Sequence, residues 1–210
     1  EMLGVVDVRD YGAVGDGSTD DHAAFEAADA AANGRDVVIP EGVYFLVDSV
    51  TMDSKCRFIG TVTMAAEHYL TLQQNFNLPD YIDAFGDGEL AFRKAFQSMF
   101  KGPDHVELDM EGLKIDLREP IDKQAAVPVV DRFSNRRVIS NGQFSVVPGA
   151  NWDTETFSSQ ATYNPSSPFT LTNVQNVASI PVGSLVEGIG VGREIYVRAK
   201  NVGQETIELS

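Results

Sequence analysis

A dense cluster of turn-forming residues near the N-terminus limits the fold of this 210-residue chain more than any other feature. Val6, Val8 and Tyr11 alternate with polar residues, which predicts a short strand. A run of glycines follows, and Asp16-Gly17 is a strong turn pair. These glycines are Gly12, Gly15 and Gly17. The pattern predicts a strand that ends in a sharp turn before the next element begins.

The segment after this turn predicts a helix over about residues 20–33. Ser18-Thr19 supplies an N-cap hydroxyl, and Asp20 and Asp21 are expected in the first turn, where the helix dipole favours negative charge. The apolar positions recur at helical spacing and are mostly alanine: Ala24, Phe25, Ala28, Ala31 and Ala32. Because alanine side chains are small, this helix is expected to lie close to its packing partner.

Two runs of strand-forming residues follow the helix. Val37–Ile39 and Val43–Val47 are predicted strands, and the Pro-Glu-Gly sequence between them predicts a turn. The segment from residue 8 to residue 46, "VRDYGAVGDGSTDDHAAFEAADAAANGRDVVIPEGVYFL", resembles the N-terminal signature of the pectate-lyase-like superfamily. The positions that carry the resemblance are Gly12, Gly15, Asp16, Gly17, Thr19, Asp20, Asp21, Pro40, Gly42 and Tyr44.

The resemblance implies a mainly β fold, namely a right-handed parallel β-helix with an N-terminal capping α-helix. Residues 1–48 would form the cap and the first rungs of the coil. An open end of such a coil exposes unpaired strand edges, so a covering helix is expected there on physical grounds. Bacteriophage tailspikes, virion spikes of phage-like gene transfer agents, and secreted polygalacturonases and lyases share this opening.

The three aspartates of the turn have two interpretations. Asp16, Asp20 and Asp21 would form a metal cluster or a carboxylate pair, or each would serve as a turn, cap or dipole partner. Local backbone chemistry favours the second interpretation. The histidines lack metal-ligand spacing: they are His22, His68 and His105. The single cysteine, Cys56, is expected in the core. The sequence therefore predicts no metal site and no cofactor.

Residues 49–148 are predicted to form β-helix rungs, with a helical insertion at about residues 80–101 where aromatic residues recur at three- and four-residue steps. The insertion would pack on the side of the coil or dock a partner. The predicted strands are Ser49–Met52, Arg57–Ile59, Thr61–Met64, Tyr69–Gln73, His105–Met110, Lys114–Leu117, Val127–Val130, Arg137–Ile139 and Phe144–Val147.

Four carboxylates, Glu107, Asp109, Glu111 and Asp116, are candidates for an acid/base pair. Strand alternation would place the first three on one face. They would form either an acid/base pair or a solvated strand face. The solvated face is favoured, because nothing in the sequence fixes two carboxyl groups at the separation that glycoside hydrolysis needs.

The part of the chain from residue 149 onward is predicted to contain a loop and a small β-module. Trp152, Asp153 and Tyr163 lie in the predicted loop, residues 149–168, and are the candidates for carbohydrate binding. The alternative is that Trp152 only pins the loop in place. Residues 169–210 form the predicted module, which resembles small β-inserts of phage tail-fibre and spike proteins. Since an uncapped repeat stack is poorly soluble, the natural chain is expected to continue beyond Ser210.

The charge balance argues against two classes of partner. The chain has 16 Lys and Arg residues against 31 Asp and Glu residues, a net charge of −15. It lacks the basic stripes that bind nucleic acid or anionic membrane surfaces. No apolar run approaches the roughly 18 residues of a membrane span. We therefore expect neither nucleic-acid binding nor membrane insertion.

The resemblance favours a virion spike or fibre segment that attaches to host surface polysaccharide and joins the coil to the particle. The expected partners are the chain itself in a homotrimer, another virion structural protein and the polysaccharide. The expected location is the virion, assembled in the bacterial cytoplasm. The first alternative is a polysaccharide-degrading tailspike enzyme, a glycoside hydrolase or lyase, with no catalytic site in these residues. The second is a purely structural connector.

Overall fold

The strands of the N-terminal half are short and pair in parallel. A computed structural model describes residues 4–101, 105–121, 127 and 136–210. The first eight strands are β1 (Val6–Asp7), β2 (Asp16–Asp20), β3 (Val37–Ile39), β4 (Val43–Leu46), β5 (Val50–Met52), β6 (Cys56–Phe58), β7 (Thr61–Met64) and β8 (Leu70–Leu72). They form three small sheets, ordered β1-β3-β6, β2-β4-β7 and β5-β8.

The chain visits these three sheets in a repeating order. From β3 to β5 it passes once through each sheet, and from β6 to β8 it passes through them again in the same order. Each strand of the second pass pairs in parallel with its counterpart in the first: Val37 with Cys56, Val43 with Thr61, Val50 with Leu70. The separation is therefore about 20 residues, within the range of repeat architectures.

Alternate side chains of these strands point into a shared core. Ile39, Leu46, Met52, Leu70 and Leu72 are fully buried. Burial of each such side chain contributes about 1.5–3 kcal/mol. The helix α1 (His22–Ala32) buries its apolar face in the same core, through Ala24, Phe25, Ala28 and Ala32. The predicted close-packed alanine helix is therefore present.

The start of the chain differs from the prediction in one respect. Only Val6–Asp7 is strand, and Val8–Tyr11 forms a 3₁₀ helix. The Asp7 carboxylate accepts a hydrogen bond from the Arg9 backbone N–H at 2.8 Å. This local bond offers the backbone an alternative to a strand ladder, and alternation of apolar residues does not report it.

Two helices form the insertion that the aromatic spacing predicts. They are α2 (Leu78–Phe85) and α3 (Gly88–Lys101). The Asn77 side chain caps α2 by accepting from the Asp80 backbone N–H, and Gly86 ends that helix in the left-handed conformation. The Asp87 carboxylate accepts from the Leu90 backbone N–H at the start of α3. Their buried faces join the core of the parallel sheets, so the insertion packs on the sheets.

Parallel pairing resumes after the helices. β9 (Glu107–Asp109) pairs with β11 (Val138–Ser140), and β10 (Lys114–Leu117) pairs with β12 (Gln143–Val146), both in parallel. The predicted strand Val127–Val130 lies outside the described residues except for Val127, which is buried. The described architecture is mainly β with helices and consists of small separate sheets, so a continuous right-handed coil stays a prediction.

The chain divides into two units, Glu1–Trp152 and Asp153–Ser210. The second unit is an antiparallel sheet ordered β13-β14-β16-β15. Its strands are β13 (Thr162–Tyr163), β14 (Thr170–Thr172), β15 (Val197–Asn201) and β16 (Thr206–Leu209). Its small core contains Val174, Val177, Ile180, Val197 and Ile207. The segment 149–168, predicted as loop, thus includes the short strand β13, whose two residues are too few to show a period.

Candidate functional site

The Asp21 side chain anchors the turn that carries the N-terminal motif. It is 1% exposed, and its carboxylate accepts from the backbone N–H groups of Val14 at 2.6 Å and Gly15 at 3.1 Å. Its own N–H donates to the Phe45 carbonyl at 2.8 Å. The prediction placed Asp21 in the first turn of the helix. It is instead the N-cap residue, and its side chain reaches back to the preceding turn without capping the helix.

The Asp16 carboxylate organises the turn through four hydrogen bonds from Ser18 and Thr19. Its oxygens accept from the backbone N–H groups of Ser18 and Thr19 at 2.8 and 2.7 Å, and from both hydroxyls. These bonds, the one from the Thr19 N–H first, hold the Asp16 pKa well below its usual range. The predicted N-cap role of Ser18 and Thr19 is therefore wrong, because both hydroxyls donate to Asp16. Asp20 lies in β2 before the helix and accepts from the N–H groups of His22 and Val47.

The glycines of the motif make room for Tyr44. Its ring is fully buried and lies edge-on to the Phe25 ring at 5.7 Å. Gly15 has φ +70°, and a Cβ atom there would lie 2.8 Å from the Tyr44 ring. The Gly15 backbone also approaches Gly42, whose added Cβ would lie 2.8 Å from the Gly15 carbonyl oxygen. The structure thus brings Gly15, Asp21, Gly42 and Tyr44 together as one packed turn.

The other motif positions lie around this packed turn. Gly12 ends the 3₁₀ helix with φ +100°, and Gly17 lies in β2. The Pro40 carbonyl faces Gly60, one pass later along the chain. Within the described residues, no group of three or more His, Cys, Asp or Glu side chains is arranged to hold a metal ion. Every motif carboxylate has backbone hydrogen bonds, so the arrangement shapes the chain rather than presenting free ligands.

The three candidates for carbohydrate binding fall in different units. Trp152 is half-buried at the end of the short helix Ala150–Trp152 in the first unit. Asp153 and Tyr163 belong to the second unit, where Tyr163 is 58% exposed in β13. The structure brings Trp152 and Asp153 together only as sequence neighbours. Carbohydrate binding by these residues stays a prediction.

The two carboxylates of β9, Glu107 and Asp109, share the face opposite the buried Leu108, but Glu111 does not continue that face. The strand ends at Asp109, and Glu111 follows it in a turn with φ +50°. The Asp109 carboxylate accepts from the Glu111 N–H at 2.8 Å and from the Asn141 side chain at 3.2 Å. Strand alternation beyond Asp109 was therefore the wrong expectation, because this carboxylate stabilises a turn.

Two further groups that could be reactive, the Cys56 thiol and the Lys94 amine, are buried in the core. Cys56 is buried, and burial raises the pKa of its thiol well above the usual range. Lys94 is 3% exposed, and burial lowers its pKa to about 8. Its ammonium donates to the carbonyls of Ala65 at 2.7 Å and His68 at 2.6 Å. Lys94 thereby joins the segment from Ala65 to His68 to α3. Because its ammonium donates these bonds, Lys94 does not serve as a base.

A charged network at the start of α3 joins that helix to Arg118 and Glu119, which lie far from it in the sequence. Glu89 is 6% exposed and accepts from Arg93 at 2.9 Å and from the backbone N–H and side chain of Arg118 at 2.9 and 3.0 Å. Arg118 also binds both Asp87 oxygens at 2.7 Å, and Arg93 reaches Glu119 at 2.8 Å. Only the i,i+4 spacing of Glu89 and Arg93 is visible in sequence.

This network makes stability depend on pH. Burial disfavours the charged form of Glu89, but the bonds from Arg118 and Arg93 outweigh it and hold the Glu89 pKa below its usual value. The bond from the Leu90 N–H, together with Arg118, likewise lowers the pKa of Asp87. A lowered folded-state pKa gives stability that is fully present above the unfolded value, near 4.5 for Glu89, and is lost as the pH falls through the folded value.

Glu89→Gln is expected to lower the free energy of unfolding by about 1.5 kcal/mol at pH 7, since a charge-assisted acceptor becomes neutral. The difference from wild type is expected to shrink as the pH falls below about 4. Urea unfolding between pH 3 and 7 measures both effects. Glu119→Gln is the control, because the Glu119 side chain is 54% exposed and an exposed pair contributes about 0–1 kcal/mol. Equal losses for the two variants would contradict the network.

A family model described as "Rhamnogalacturonase A/epimerase, pectate lyase-like" matches residues 5–164. No curated protein matches the chain. A crystal structure of PfbA, a surface adhesin of Streptococcus pneumoniae, aligns with 68% of this chain and 33% of its own, at 20% identity and a TM-score of 0.23. The chain thus spans a third of that structure.

Proposed function

The chain belongs to the rhamnogalacturonase A/epimerase, pectate lyase-like family, and from that membership we propose that it recognises polysaccharide on a right-handed parallel β-helix. The observation that carries this proposal is the repeated passage of the chain through three parallel sheets, in which β6, β7 and β8 each pair with a counterpart about 20 residues earlier. A coil of stacked parallel strands presents long, regular outer faces. Such faces suit an extended polymer ligand.

In its finer form, the proposal is that the chain is part of a virion spike. The spike would be a homotrimer, would join another virion structural protein, and would attach to polysaccharide on the host surface. It would assemble in the bacterial cytoplasm and function as part of the virion. Two sequence resemblances support this form: the opening motif shared with phage and gene-transfer-agent spikes, and the tail-fibre-like pattern of residues 169–210.

Other properties of the chain are compatible with a polysaccharide ligand. The net charge of −15 disfavours polyanionic partners such as nucleic acid. None of the described helices is both long and apolar enough to cross a membrane.

A binding experiment with the full chain tests the proposal. Biolayer interferometry against immobilised capsular and exopolysaccharides of bacterial hosts is expected to show saturable binding to at least one polymer, which the soluble polymer reverses. Light scattering is expected to give three times the chain mass of 22.8 kDa. Binding without trimer formation would overturn the spike form alone. Absence of binding to every polymer would overturn polysaccharide recognition.

Family membership also favours a second candidate, a polysaccharide-cleaving enzyme. A glycosidase needs a general acid whose pKa is raised. Among the described carboxyl groups, those with a clearly shifted pKa are Asp16, Asp87 and Glu89, and all three shift downward. None of the three suits that role. Release of oligosaccharides from a bound polymer by the full chain would support the enzyme, and binding without release would oppose it.

A further inference from the structure

The second unit carries a β-bulge that changes the direction of its side chains. Val197 pairs with Leu209, and Lys200 pairs with Ile207. Val197 is buried in the small core beside Ile207, and the Lys200 ammonium donates to the carbonyl of Ile180, also in that core. Val197 and Lys200 therefore share the core face although they are an odd number of residues apart. Regular alternation would put Val197 and Lys200 on opposite faces. The bulge between Val197 and Ala199 therefore shifts the alternation of side chains by one residue.

The extra residue at the bulge is Arg198. Ala199 pairs with Glu208, and Glu208 pairs in turn with Thr170 on the next strand. Since Ile207 faces the core, Glu208 and its paired neighbours face outward. The bulge adds Arg198 to this outer face. Bulges re-aim single side chains in this way and are common next to functional sites.

These residues line a depression on the outer face. It has a volume of about 260 Å³ and is lined by Phe169, Thr170, Arg198, Glu208, Leu209 and Ser210. Glu208 is flanked on its paired strands by Ala199 and Thr170, both of which have small side chains. The volume is below the roughly 300–1,000 Å³ of drug-sized ligand sites. The depression therefore fits one small unit of a larger ligand.

Three groups in the depression have unused binding capacity. The Phe169 side chain is 65% exposed. In the second unit, which the structure describes throughout, Arg198 and Glu208 make neither an ion pair nor a side-chain hydrogen bond. A guanidinium only donates and a carboxylate only accepts, whereas a sugar hydroxyl does both. An aromatic ring offers an apolar surface for the C–H face of a pyranose.

We infer that the Phe169, Arg198 and Glu208 depression is a subsite for an uncharged pyranose of a polysaccharide. Adjacent hydroxyls accept from Arg198 and donate to Glu208, while the sugar ring covers Phe169. The inference rests on the proposed polysaccharide recognition and adds the place and the class of sugar. The site lies beyond residue 164, where the family match ends, so family membership does not imply it.

Charge decides between a neutral and an acidic sugar. The Arg198 and Glu208 side chains carry opposite charges, so an uncharged unit gains hydrogen bonds from both. The carboxylate of a uronic acid would be attracted to the Arg198 guanidinium. It would also be repelled by the Glu208 carboxylate and by a chain whose net charge is −15. The subsite is thus assigned to neutral hexoses.

Titration of the ¹⁵N-labelled full chain tests the subsite. The probes are tetrasaccharides of glucose, galactose and mannose, with a galacturonic acid tetrasaccharide for comparison. At least one neutral probe is expected to shift the amides of Thr170, Arg198 and Glu208. Phe169→Ala and Arg198→Gln are each expected to weaken that binding at least about tenfold, the loss typical of an anchor residue.

Matched controls come from the same unit. Phe157→Ala removes an aromatic ring that is 41% exposed, and Arg193→Gln removes an exposed guanidinium, and neither residue lines the depression. Both controls are expected to keep wild-type affinity, and amide spectra report whether each variant is folded. Two results would overturn the subsite alone. One is polymer binding that neither Phe169→Ala nor Arg198→Gln weakens, and the other is tighter binding of the galacturonic acid probe than of every neutral probe. Failure of the chain to bind any polysaccharide would overturn the subsite together with the proposed function.

Discussion

Gly60→Ala is expected to lower the free energy of unfolding of the first unit by about 3 kcal/mol or more, because the added methyl group has no space. A Cβ atom at Gly60 would lie 2.2 Å from the Pro40 carbonyl oxygen and 2.7 Å from the Gly42 carbonyl oxygen. Both are backbone atoms, which cannot rotate away as a side chain would. The Gly60 N–H also donates to the Ile39 carbonyl at 3.1 Å. Relief of the clash would therefore break the contact between two successive passes of the chain.

Urea unfolding followed by the fluorescence of the single tryptophan, Trp152, measures this loss in the first unit. Gly4→Ala is the matched control. A Cβ atom at Gly4 has no neighbour within 4 Å, and its φ is not in the left-handed region. The control is expected to change the free energy of unfolding by less than about 0.5 kcal/mol. A Gly60→Ala protein as stable as this control would show that Gly60 does not approach the Pro40 and Gly42 carbonyl oxygens as described.

Asp21→Ala is expected to cost about 3 kcal/mol of unfolding free energy. The substitution removes two charge-assisted acceptor bonds, each contributing about 1.5–3 kcal/mol. The bonds in question are those to the N–H groups of Val14 and Gly15. Since the Asp21 side chain is 1% exposed, its removal also leaves a small void. The effect is purely structural, so it would appear without any ligand.

Two variants separate this effect from a general sensitivity of the segment. Asp21→Asn keeps one acceptor oxygen but places an amide group near the second N–H, and it is expected to lose about half as much stability as Asp21→Ala. Asp10→Ala removes an exposed carboxylate that makes no side-chain bond to the described residues, and its expected change is below about 0.5 kcal/mol. The same urea experiment compares all three. A loss for Asp21→Ala no greater than that for Asp10→Ala would refute the anchoring role.

Local patterns in the sequence predicted the elements well where each element depends on its own residues. Aromatic spacing was sufficient for the insertion, since the buried faces of α2 and α3 repeat with helical period. The alanine face of α1 was visible for the same reason. The resemblance of residues 8–46 identified the pectate-lyase-like superfamily, and the family match over residues 5–164 confirms it.

Contacts between distant residues were beyond these patterns. Ser18, Thr19, Asp20 and Asp21 are all residues that cap helices, so propensity alone cannot choose among them. The helix begins after Asp21 because the Asp21 carboxylate is the one that reaches the backbone N–H groups of Val14 and Gly15 in the preceding turn. The bond from Arg118 to Glu89 spans 29 residues, and no short-range period reports such a pair. The bulge at Arg198 is defined by pairing between strands, which a single strand does not reveal.

The order in which the chain visits its parallel sheets also bears on how the molecule is made. Strands β6 to β8 each pair with a counterpart that lies earlier in the chain, so none of these three waits for a partner from far downstream. Growth by addition to a completed neighbour keeps loop-closure entropy small at every step. A ribosome releasing this segment from its N-terminus would thus deliver each new strand to a template already in place. Vectorial synthesis and assembly would proceed in the same direction.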